Sequence, residues 1–273
     1  MNPEVSVIIP TYNRKEVLPR ALNSVLSQED TAFEVLVIDD GSTDKTDRLI
    51  AEKYPQVSYF YQSNQGPAAA RNRGLERARG KWIAFLDSDD EWMPGKLSAQ
   101  LAFFEQHPNE RIAQTEEIWV RNGRRVNPMK KHRKYGGLIF EKCLPLCIVS
   151  PSAVMIHREI FDAVGLFDES LPACEDYDLW LRIAARFPVG FIEKPYLIKY
   201  GGHADQTSHQ FPAMDRFRIQ SLVKILKSGI LNPGQSTAAE KILAEKSRIF
   251  IQGALKRGKN EEAAAIQSLL PVL

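Results

Sequence analysis

Apolar and amphipathic segments alternate through about the first hundred residues of the chain. The apolar segments are short and rich in Val and Ile, as is typical of buried strands, and the segments between them repeat their apolar residues at helical spacing. This alternation predicts an α/β protein in which crossover helices connect the strands of a parallel sheet. The predicted elements, in chain order, are the strand 5–9, the helix 17–26, the strand 34–38, the helix 44–54, the strand 57–61, the helix 68–78 and the strand 82–86.

Polar residues follow three of these strands at the point where each strand ends. Open parallel sheets bind their ligands at the carboxyl edge, so we expect the binding site there. The residues are Thr11, Tyr12 and Asn13 after the first strand, Asp39, Asp40, Gly41 and Ser42 after the second, and Asp87, Ser88 and Asp89 after the fourth.

The densest acidic segment follows the strand 82–86 and contains Asp87, Asp89, Asp90 and Glu91. Adjacent carboxylates repel one another unless solvent or a cation relieves the repulsion. In an extended chain Asp87 and Asp89 project to the same side, where both can bind one divalent cation such as Mg²⁺ or Mn²⁺. The alternative is a solvated acidic turn that opens the next helix.

The loops after the first strands have the side chains of a nucleoside pocket. Tyr12 can stack on a base, and Asp39 or Asp40 can accept the N3–H of a pyrimidine. Alternatively, the two carboxylates shape a turn at Gly41 and Ser42 or Thr43 caps the next helix.

A helix predicted after Gly66 and Pro67 brings an arginine to the same edge. Arg71 lies one turn into this helix and can reach a base carbonyl or a phosphate. A solvated surface charge is the alternative for Arg71.

Composition and missing motifs narrow the function. The chain has 273 residues, of which 44% are hydrophobic and 26% charged, so one α/β domain with an appendage is expected. The net charge of +2 does not indicate nucleic-acid binding. No G-x-G-x-x-G follows the first strand and the P-loop pattern is missed, which disfavours dinucleotide-dependent dehydrogenases and P-loop proteins. A sugar nucleotidyltransferase would need a glycine-rich loop after the first strand, and the sequence has none there.

The amino terminus and the cysteines indicate where the protein is located and whether it forms disulfides or a zinc site. The amino terminus lacks the layout of a signal peptide and no apolar run approaches about 18 residues, so we expect a cytoplasmic protein. The three cysteines, Cys143, Cys147 and Cys174, form no zinc-binding pattern and are interpreted as packing residues.

Four motifs occur along the chain in the segments 5–14, 37–44, 64–72 and 86–90. Together, in this order and spacing, they resemble the family 2 glycosyltransferases of the GT-A fold, and the resemblance covers roughly residues 4 to 210. The resemblance implies a Rossmann-like, mostly parallel central sheet flanked by helices. It also implies a nucleotide-diphosphate sugar donor, most often a UDP-sugar, a Mn²⁺ or Mg²⁺ ion, and inversion at the anomeric carbon by single displacement.

The resemblance also implies roles for single residues. Tyr12 and Asp40 would contact uracil, while Asp87 and Ser88 would face the ribose or diphosphate. The metal would be bound by Asp89 with Asp87 and by His203, although Gly201 stands near the place of an arginine common in the family. The remaining donor-site residues are Pro10, Thr11, Asp39, Gly66 and Arg71.

Glu175 and Asp176 precede a predicted helix whose apolar residues include Leu179 and Trp180. By family likeness this pair carries the general base, with Asp176 taking the acceptor proton and Glu175 orienting it or contacting the donor sugar. The alternative is a helix cap with acidic residues in the first turn.

We divide the chain into a nucleotide-sugar-binding half, 1–115, an acceptor and catalytic half, 116–210, and a C-terminal helical extension, 211–273. The acceptor would be a carbohydrate or lipid-linked molecule in polysaccharide or glycolipid synthesis. A basic loop at 121–134 either meets an anionic polymer or lipid phosphates, or is simply solvated. The basic C-terminal helices either contact the inner face of a membrane, form a homodimer or cap the core. A catalytically silent binder of the same fold and a sugar nucleotidyltransferase are the alternative functions.

Overall fold

The computed structural model describes residues 3–202 and 211–270. The strands are β1 (Val5–Thr11), β2 (Phe33–Asp39), β3 (Ser58–Tyr61), β4 (Trp82–Phe85), β5 (Glu91–Trp92), β6 (Ile112–Arg121), β7 (Arg124–Val126), β8 (Val154–His157) and β9 (Gly190–Gly201). The helices are α1 (Leu18–Leu26), α2 (Thr46–Lys53), α3 (Pro67–Arg77), α4 (Lys96–Gln106), α5 (Phe140–Cys143), α6 (Glu159–Val164), α7 (Glu175–Ala184), α8 (Asp215–Lys227), α9 (Pro233–Lys256) and α10 (Asn260–Leu269).

The strands form one sheet in the order β3-β2-β1-β4-β8-β6-β9-β5, with β7 paired to β6. The first four strands of this order are parallel, as the sequence predicts. The later strands are mixed, because β8 runs antiparallel to both β4 and β6 whereas β9 runs parallel to β6. The predicted α/β fold with crossover helices is therefore confirmed, with its parallel character concentrated in the first half of the chain.

Both faces of the parallel strands are buried, which explains their nearly continuous apolar sequence. In β1, Val5, Val7 and Ile9 face a core that includes α1, α2 and α4. Ile8 faces the opposite core, which includes α3 and α7. Helices on both faces thus leave the carboxyl edge of the sheet to the connecting loops.

The C-terminal helices belong to the second core. Phe217 and Leu222 of α8 and Phe250 of α9 are buried in the same apolar cluster as Tyr177 and Trp180 of α7. The structure therefore shows these helices capping the core of the sheet domain. No helix in residues 3–202 or 211–270 is both long and apolar enough to cross a membrane.

The acidic segment after β4 forms a turn, so the expectation of an extended chain at Asp87 and Asp89 is wrong. The Asp90 amide donates to the Asp87 carbonyl at 3.0 Å. The reversal places the Asp90 carboxylate inside, where it accepts from Ser152 Oγ at 2.7 Å and from the Tyr200 amide at 3.1 Å. These two hydrogen bonds explain why the chain turns at this point.

The close approach of α3 to β1 depends on Gly74. A Cβ at this position would overlap the Ile8 side chain. We expect Gly74→Ala to lower the free energy of unfolding by about 1–3 kcal/mol, because the buried Ile8 cannot move aside without strain. Urea unfolding monitored by circular dichroism measures the change.

Gly253 in α9 is the matched control for this substitution. A Cβ there would meet only the guanidinium of Arg257, at 3.3 Å, and that side chain can move. Gly253→Ala should leave stability unchanged or raise it by up to about 1 kcal/mol, because Ala favours helix more than Gly does. Equal losses in the two variants would contradict the packing argument.

Candidate active site

The candidate site lies where the strand order reverses. From β1 the chain proceeds to β2 and β3 on one side of the sheet, and then returns to place β4 on the other side of β1. Ligands of open α/β sheets bind in the crevice outside the carboxyl ends of the strands at such a switch point. The loops after β1, β2 and β4 lie together at this edge of the sheet.

The loops after β1 and β2 hold each other in place. Thr11 lies beside Asp39 in the sheet register, and the Asp40 amide donates to the Thr11 carbonyl at 2.9 Å. Further out, the Asn13 amide donates to Ser42 Oγ at 2.8 Å. Tyr12 lies between these contacts and is 49% exposed, so its ring is available to a ligand.

The two carboxylates at the end of β2, Asp39 and Asp40, both accept hydrogen bonds from backbone amides. Asp39 is 1% exposed and accepts from the Ser42 amide and the Tyr59 hydroxyl, so it shapes the turn at Gly41. Asp40 accepts from the Gln65 and Gly66 amides at 2.9 Å and 2.8 Å and thereby fixes the loop before α3. A carboxylate oxygen can accept more than one hydrogen bond, so contact between Asp40 and a pyrimidine stays a prediction.

The start of α2 differs from the expected cap. Neither Ser42 nor Thr43 caps the helix, which begins at Thr46. Asp44 instead accepts from the Thr46 amide at 3.1 Å and from its hydroxyl at 2.6 Å. Ser42 therefore contributes to the contact between the loops after β1 and β2, where it accepts from the Asn13 amide.

Arg71 is buried, with 5% exposure, so its interpretation as a solvated charge is wrong. Its guanidinium donates to Asp87 Oδ1 at 2.8 Å and to Glu175 Oε1 at 2.5 Å. The side chain therefore ties α3 to the acidic turn and to the first residue of α7. Its predicted contact with a base or a phosphate stays a prediction.

The acidic turn offers oxygen ligands to a divalent cation. Asp87 lies beside Arg71, Asp89 Oδ2 lies 3.2 Å from Arg14 Nη1, and Ser88 between them is buried. Within residues 3–202 and 211–270, no group of three or more His, Cys, Asp or Glu side chains could hold a metal. Two carboxylates fit an ion that takes its remaining ligands from phosphate oxygens and water, as Mg²⁺ does. His203 lies outside the described residues.

Glu175 and Asp176 lie in the first turn of α7, so they are part of the helix rather than ahead of it. Burial raises the pKa of Glu175 to about 7, although the adjacent Arg71 opposes the shift. Asp176 is only half-buried, and its Oδ2 accepts from Cys147 Sγ at 3.4 Å. Of the two carboxylates, Asp176 is therefore the more accessible to a substrate.

Cys147 packs against the core, as its sequence context indicates, and its thiol also contacts a candidate site residue. Cys143 and Cys174 are buried, whereas the Cys147 thiol contacts the Asp176 carboxylate. Burial raises the pKa of this thiol well above its ordinary value, and Asp176 adds to the shift. The thiol is therefore a neutral hydrogen-bond donor to Asp176. No sequence pattern links two residues 29 positions apart in this way.

A cluster of buried polar side chains lies next to the acidic turn and was also not predicted from the sequence. Lys134 Nζ lies 3.1 Å from Glu117 Oε2 and 3.4 Å from Ser150 Oγ. Lys199 Nζ approaches the same hydroxyl at 3.4 Å. Burial, together with Asp89, raises the pKa of Asp90 well above its ordinary value, and Lys199 opposes the shift. Buried side chains of both charge signs therefore pack next to the acidic turn.

Comparison with known proteins establishes the family. The model described as "Glycosyl transferase family 2" matches residues 6–165, which is more than half of the chain. The chain therefore belongs to glycosyltransferase family 2.

Two bacterial relatives are named for polysaccharide synthesis. TuaG of Bacillus subtilis, a teichuronic acid biosynthesis glycosyltransferase by name, is 35% identical over 66% of this chain and 72% of its own length. WcaA of Escherichia coli K12, named for colanic acid biosynthesis, is 30% identical over 68% of each chain. An uncharacterized glycosyltransferase of Rickettsia conorii is 38% identical over 70% of this chain. The present chain spans about a third of that rickettsial protein's length.

Solved structures confirm the fold. S. aureus TarS (residues 1–349) in complex with UDP-GlcNAc has a TM-score of 0.71 at 24% identity, covering 89% of this chain and 71% of that one. Mannosyltransferase PcManGT from Pyrobaculum calidifontis, in complex with GDP-Man and Mn²⁺, has a TM-score of 0.62 at 18% identity, covering 98% and 86%.

The buried ion pair of Glu117 predicts a pH-dependent contribution to stability. Burial alone would raise the pKa of Glu117, but Lys134 and Lys199 outweigh it and hold the pKa at about 2. A lowered pKa in the folded state means that the contribution is complete above the unfolded value of about 4.5 and is lost as the pH falls toward 2. We expect Glu117→Gln to cost roughly 3 kcal/mol at pH 7, and this cost to shrink by roughly 1 kcal/mol at pH 3.5.

Urea unfolding of both proteins between pH 7 and pH 3.5 measures this difference. Glu116→Gln is the control, because Glu116 neighbours Glu117 on β6 and forms no ion pair with any residue in the described part of the chain. It should change stability by less than about 0.5 kcal/mol. A cost for Glu117→Gln that stays constant with pH would contradict the assigned ion pair.

Proposed function

We propose that the chain transfers a sugar from a nucleotide-diphosphate donor, a UDP-sugar in the first instance, to a hydroxyl of a carbohydrate or lipid-linked acceptor in polysaccharide or glycolipid synthesis. One observation carries the proposal. Arg71 joins the acidic turn to the start of α7, so the carboxylates suited to a cation and the carboxylate suited to a base border one crevice.

The nucleoside would bind between the loops after β1 and β2. The exposed Tyr12 ring would stack on the base, and Asp40, already held by the Gly66 amide, would accept the N3–H of uracil. Pro10, Thr11 and Asp39 would form the wall beneath, since Thr11 and Asp39 are buried and lie in register. Rigid loops of this kind reduce the entropy lost when a ligand binds.

The diphosphate would lie against the acidic turn. Asp89 and Asp87 would hold a Mn²⁺ or Mg²⁺ ion, whose charge would stabilise the negative charge that develops on the diphosphate. Arg14 lies beside Asp89 and is placed to contact the same phosphates. Ser88, buried within the turn, would fix the backbone that presents the two carboxylates.

The chemical step is a direct displacement. The acceptor oxygen would attack the anomeric carbon as the bond from that carbon to the diphosphate oxygen breaks and the bonding pair leaves with the nucleotide. Asp176 would take the proton of the acceptor hydroxyl, acting as the general base. Attack from the face opposite the leaving diphosphate would invert the anomeric configuration.

Glu175 and Arg71 would orient the donor sugar. Arg71 is fixed by Asp87 and Glu175, and hydrogen bonds from such a fixed group can hold the sugar hydroxyls in the geometry that displacement requires. Cys147 would keep Asp176 in position through its hydrogen bond to Oδ2. The side chains around the base would thus be set before the substrate binds.

Isothermal titration with UDP tests the donor site. We expect wild-type protein to bind UDP in the micromolar range when Mn²⁺ is present, and Asp89→Ala to lose the dependence on Mn²⁺ together with at least about tenfold in affinity, because it removes a carboxylate that holds the ion. Asp162→Ala removes an exposed carboxylate of α6 and should bind as wild type does. Metal-independent binding that is equal in all three proteins would contradict the assigned cation site.

The assignment of the base is tested by turnover. Asp176→Asn should slow release of UDP from a bound UDP-sugar by roughly 10²- to 10⁴-fold, because Asn cannot accept the acceptor's proton. Its affinity for UDP should be that of wild type. A variant with normal turnover would exclude Asp176 as the base, and release of pyrophosphate instead of UDP would identify a nucleotidyltransferase.

A further inference from the structure

A strongly basic surface flanks the candidate active site. We call residues 121–134 the basic hairpin; it contains the turn between β6 and β7, the strand β7 and the short helical turn that follows. It carries seven Lys and Arg residues, and the sequence from 118 to 140 contains no Asp or Glu. The seven are Arg121, Arg124, Arg125, Lys130, Lys131, Arg133 and Lys134.

Most of this charge faces solvent without a counterion. Arg124, Arg125, Lys130 and Lys131 are exposed, and none forms an ion pair with any residue in 3–202 or 211–270. Lys134 is the inward-facing exception, buried beside Glu117. Repulsion between like charges on one hairpin destabilises it, so these side chains are available to an anionic partner.

The hairpin begins at the edge of the sheet that carries the site. Arg121 at the end of β6 lies opposite Gly201 at the end of β9. One residue earlier on β9, the Tyr200 amide donates to Asp90 of the acidic turn. Arg121 is therefore close to the turn that would hold the diphosphate, on the side of the sheet away from β1 and Tyr12.

Buried contacts join the hairpin to the strand β6. Trp119 Nε1 donates to Glu117 Oε1 at 2.7 Å, and the Trp119 ring lies 5.0 Å from that of His132 between centroids. Glu117 in turn holds Lys134 at the end of the hairpin. The base of the basic hairpin is thus anchored by buried contacts while its outer side chains remain exposed.

We propose that the basic hairpin binds the acceptor, and that this acceptor is an anionic glycan whose repeating units carry carboxylate or phosphate groups. The inference rests on the proposed function, since it takes the acceptor to be a carbohydrate. A cationic surface beside the crevice raises the local concentration of an anionic chain and orients it toward the reacting carbon. The exposed arginines also match the planar geometry of carboxylate and phosphate groups.

Direct binding to defined polymers tests the proposal. The full chain, with UDP and Mn²⁺ present, is titrated with fluorescein-labelled oligogalacturonate, which carries carboxylates, with labelled poly(glycerol phosphate), which carries phosphates, and with labelled dextran, which is uncharged. We expect binding of at least one anionic polymer to weaken by about tenfold or more as salt rises from about 50 to 200 mM, because the ions screen exposed charges. Dextran should not bind.

A pair of matched variants locates the surface. One variant changes Arg124, Arg125, Lys130 and Lys131 to Gln and should weaken binding of the anionic polymer by at least about tenfold, since four contacts are lost. The control makes the same change in charge at exposed positions of the C-terminal helices and should bind within about twofold of wild type. The control residues are Lys227, Lys241, Arg248 and Lys256.

Circular dichroism of the same samples checks that each variant is folded, and UDP titration shows whether the donor site is present. Failure of the acceptor proposal can therefore be distinguished from failure of the donor assignment. Binding that depends on the hairpin in a protein without affinity for UDP would keep the acceptor surface and overturn the donor assignment. The proposal is overturned if neither anionic polymer binds in a salt-dependent manner, or if both variants weaken binding equally. It is also overturned if a labelled single-stranded oligo(dT) of equal charge binds as tightly as the glycans, which would indicate a general polyanion surface.

Discussion

The geometry of the candidate site depends on one buried interaction, the bridge that Arg71 forms between Asp87 and Glu175. A guanidinium taken out of water must be paired, and here its two partners come from opposite halves of the chain. Because Glu175 begins α7 and Asp87 begins the turn after β4, the bridge fixes the acidic turn, for which we propose cation binding, relative to the start of α7, where we propose the base. Without it, the buried Glu175 carboxylate and the half-buried Asp87 carboxylate would both lose their guanidinium partner.

The buried polar groups next to the acidic turn must also be paired, but their pKa values shift in opposite directions. Glu117 keeps a low pKa because two lysines neutralise it, whereas Asp90 has a raised pKa because burial and neighbouring carboxylates oppose its charge. Each group nevertheless has hydrogen-bonding partners, so the layer can be rigid without being apolar. A rigid support of this kind suits a displacement reaction, in which small errors in the position of a base slow the step severely.

The loops around the acidic turn are held firmly, whereas the side chains of the basic hairpin are exposed to solvent. The loops after β1 and β2 and the acidic turn are held by hydrogen bonds from backbone amides, such as the one that the Gly66 amide donates to the Asp40 carboxylate. The basic hairpin is anchored only at its base and presents its charges to solvent. The proposed donor side thus resembles a preformed pocket, whereas the proposed acceptor side is an exposed charged surface, which would tolerate variation in a polymeric ligand.

The sequence by itself determined the parallel half of the fold and the residues at its carboxyl edge. Strands buried on both faces leave a continuous apolar signal, and consecutive βαβ units then bring Tyr12, Asp40 and Asp87 to one edge. Only the tertiary structure decided that Asp90 turns inward, that Arg71 is a bridge and that Cys147 contacts Asp176. The Arg71–Glu175 contact spans 104 residues and depends on the mixed second half of the sheet. Local periodicity carries no information about such pairings, because they arise from the packing of elements that are distant in the chain.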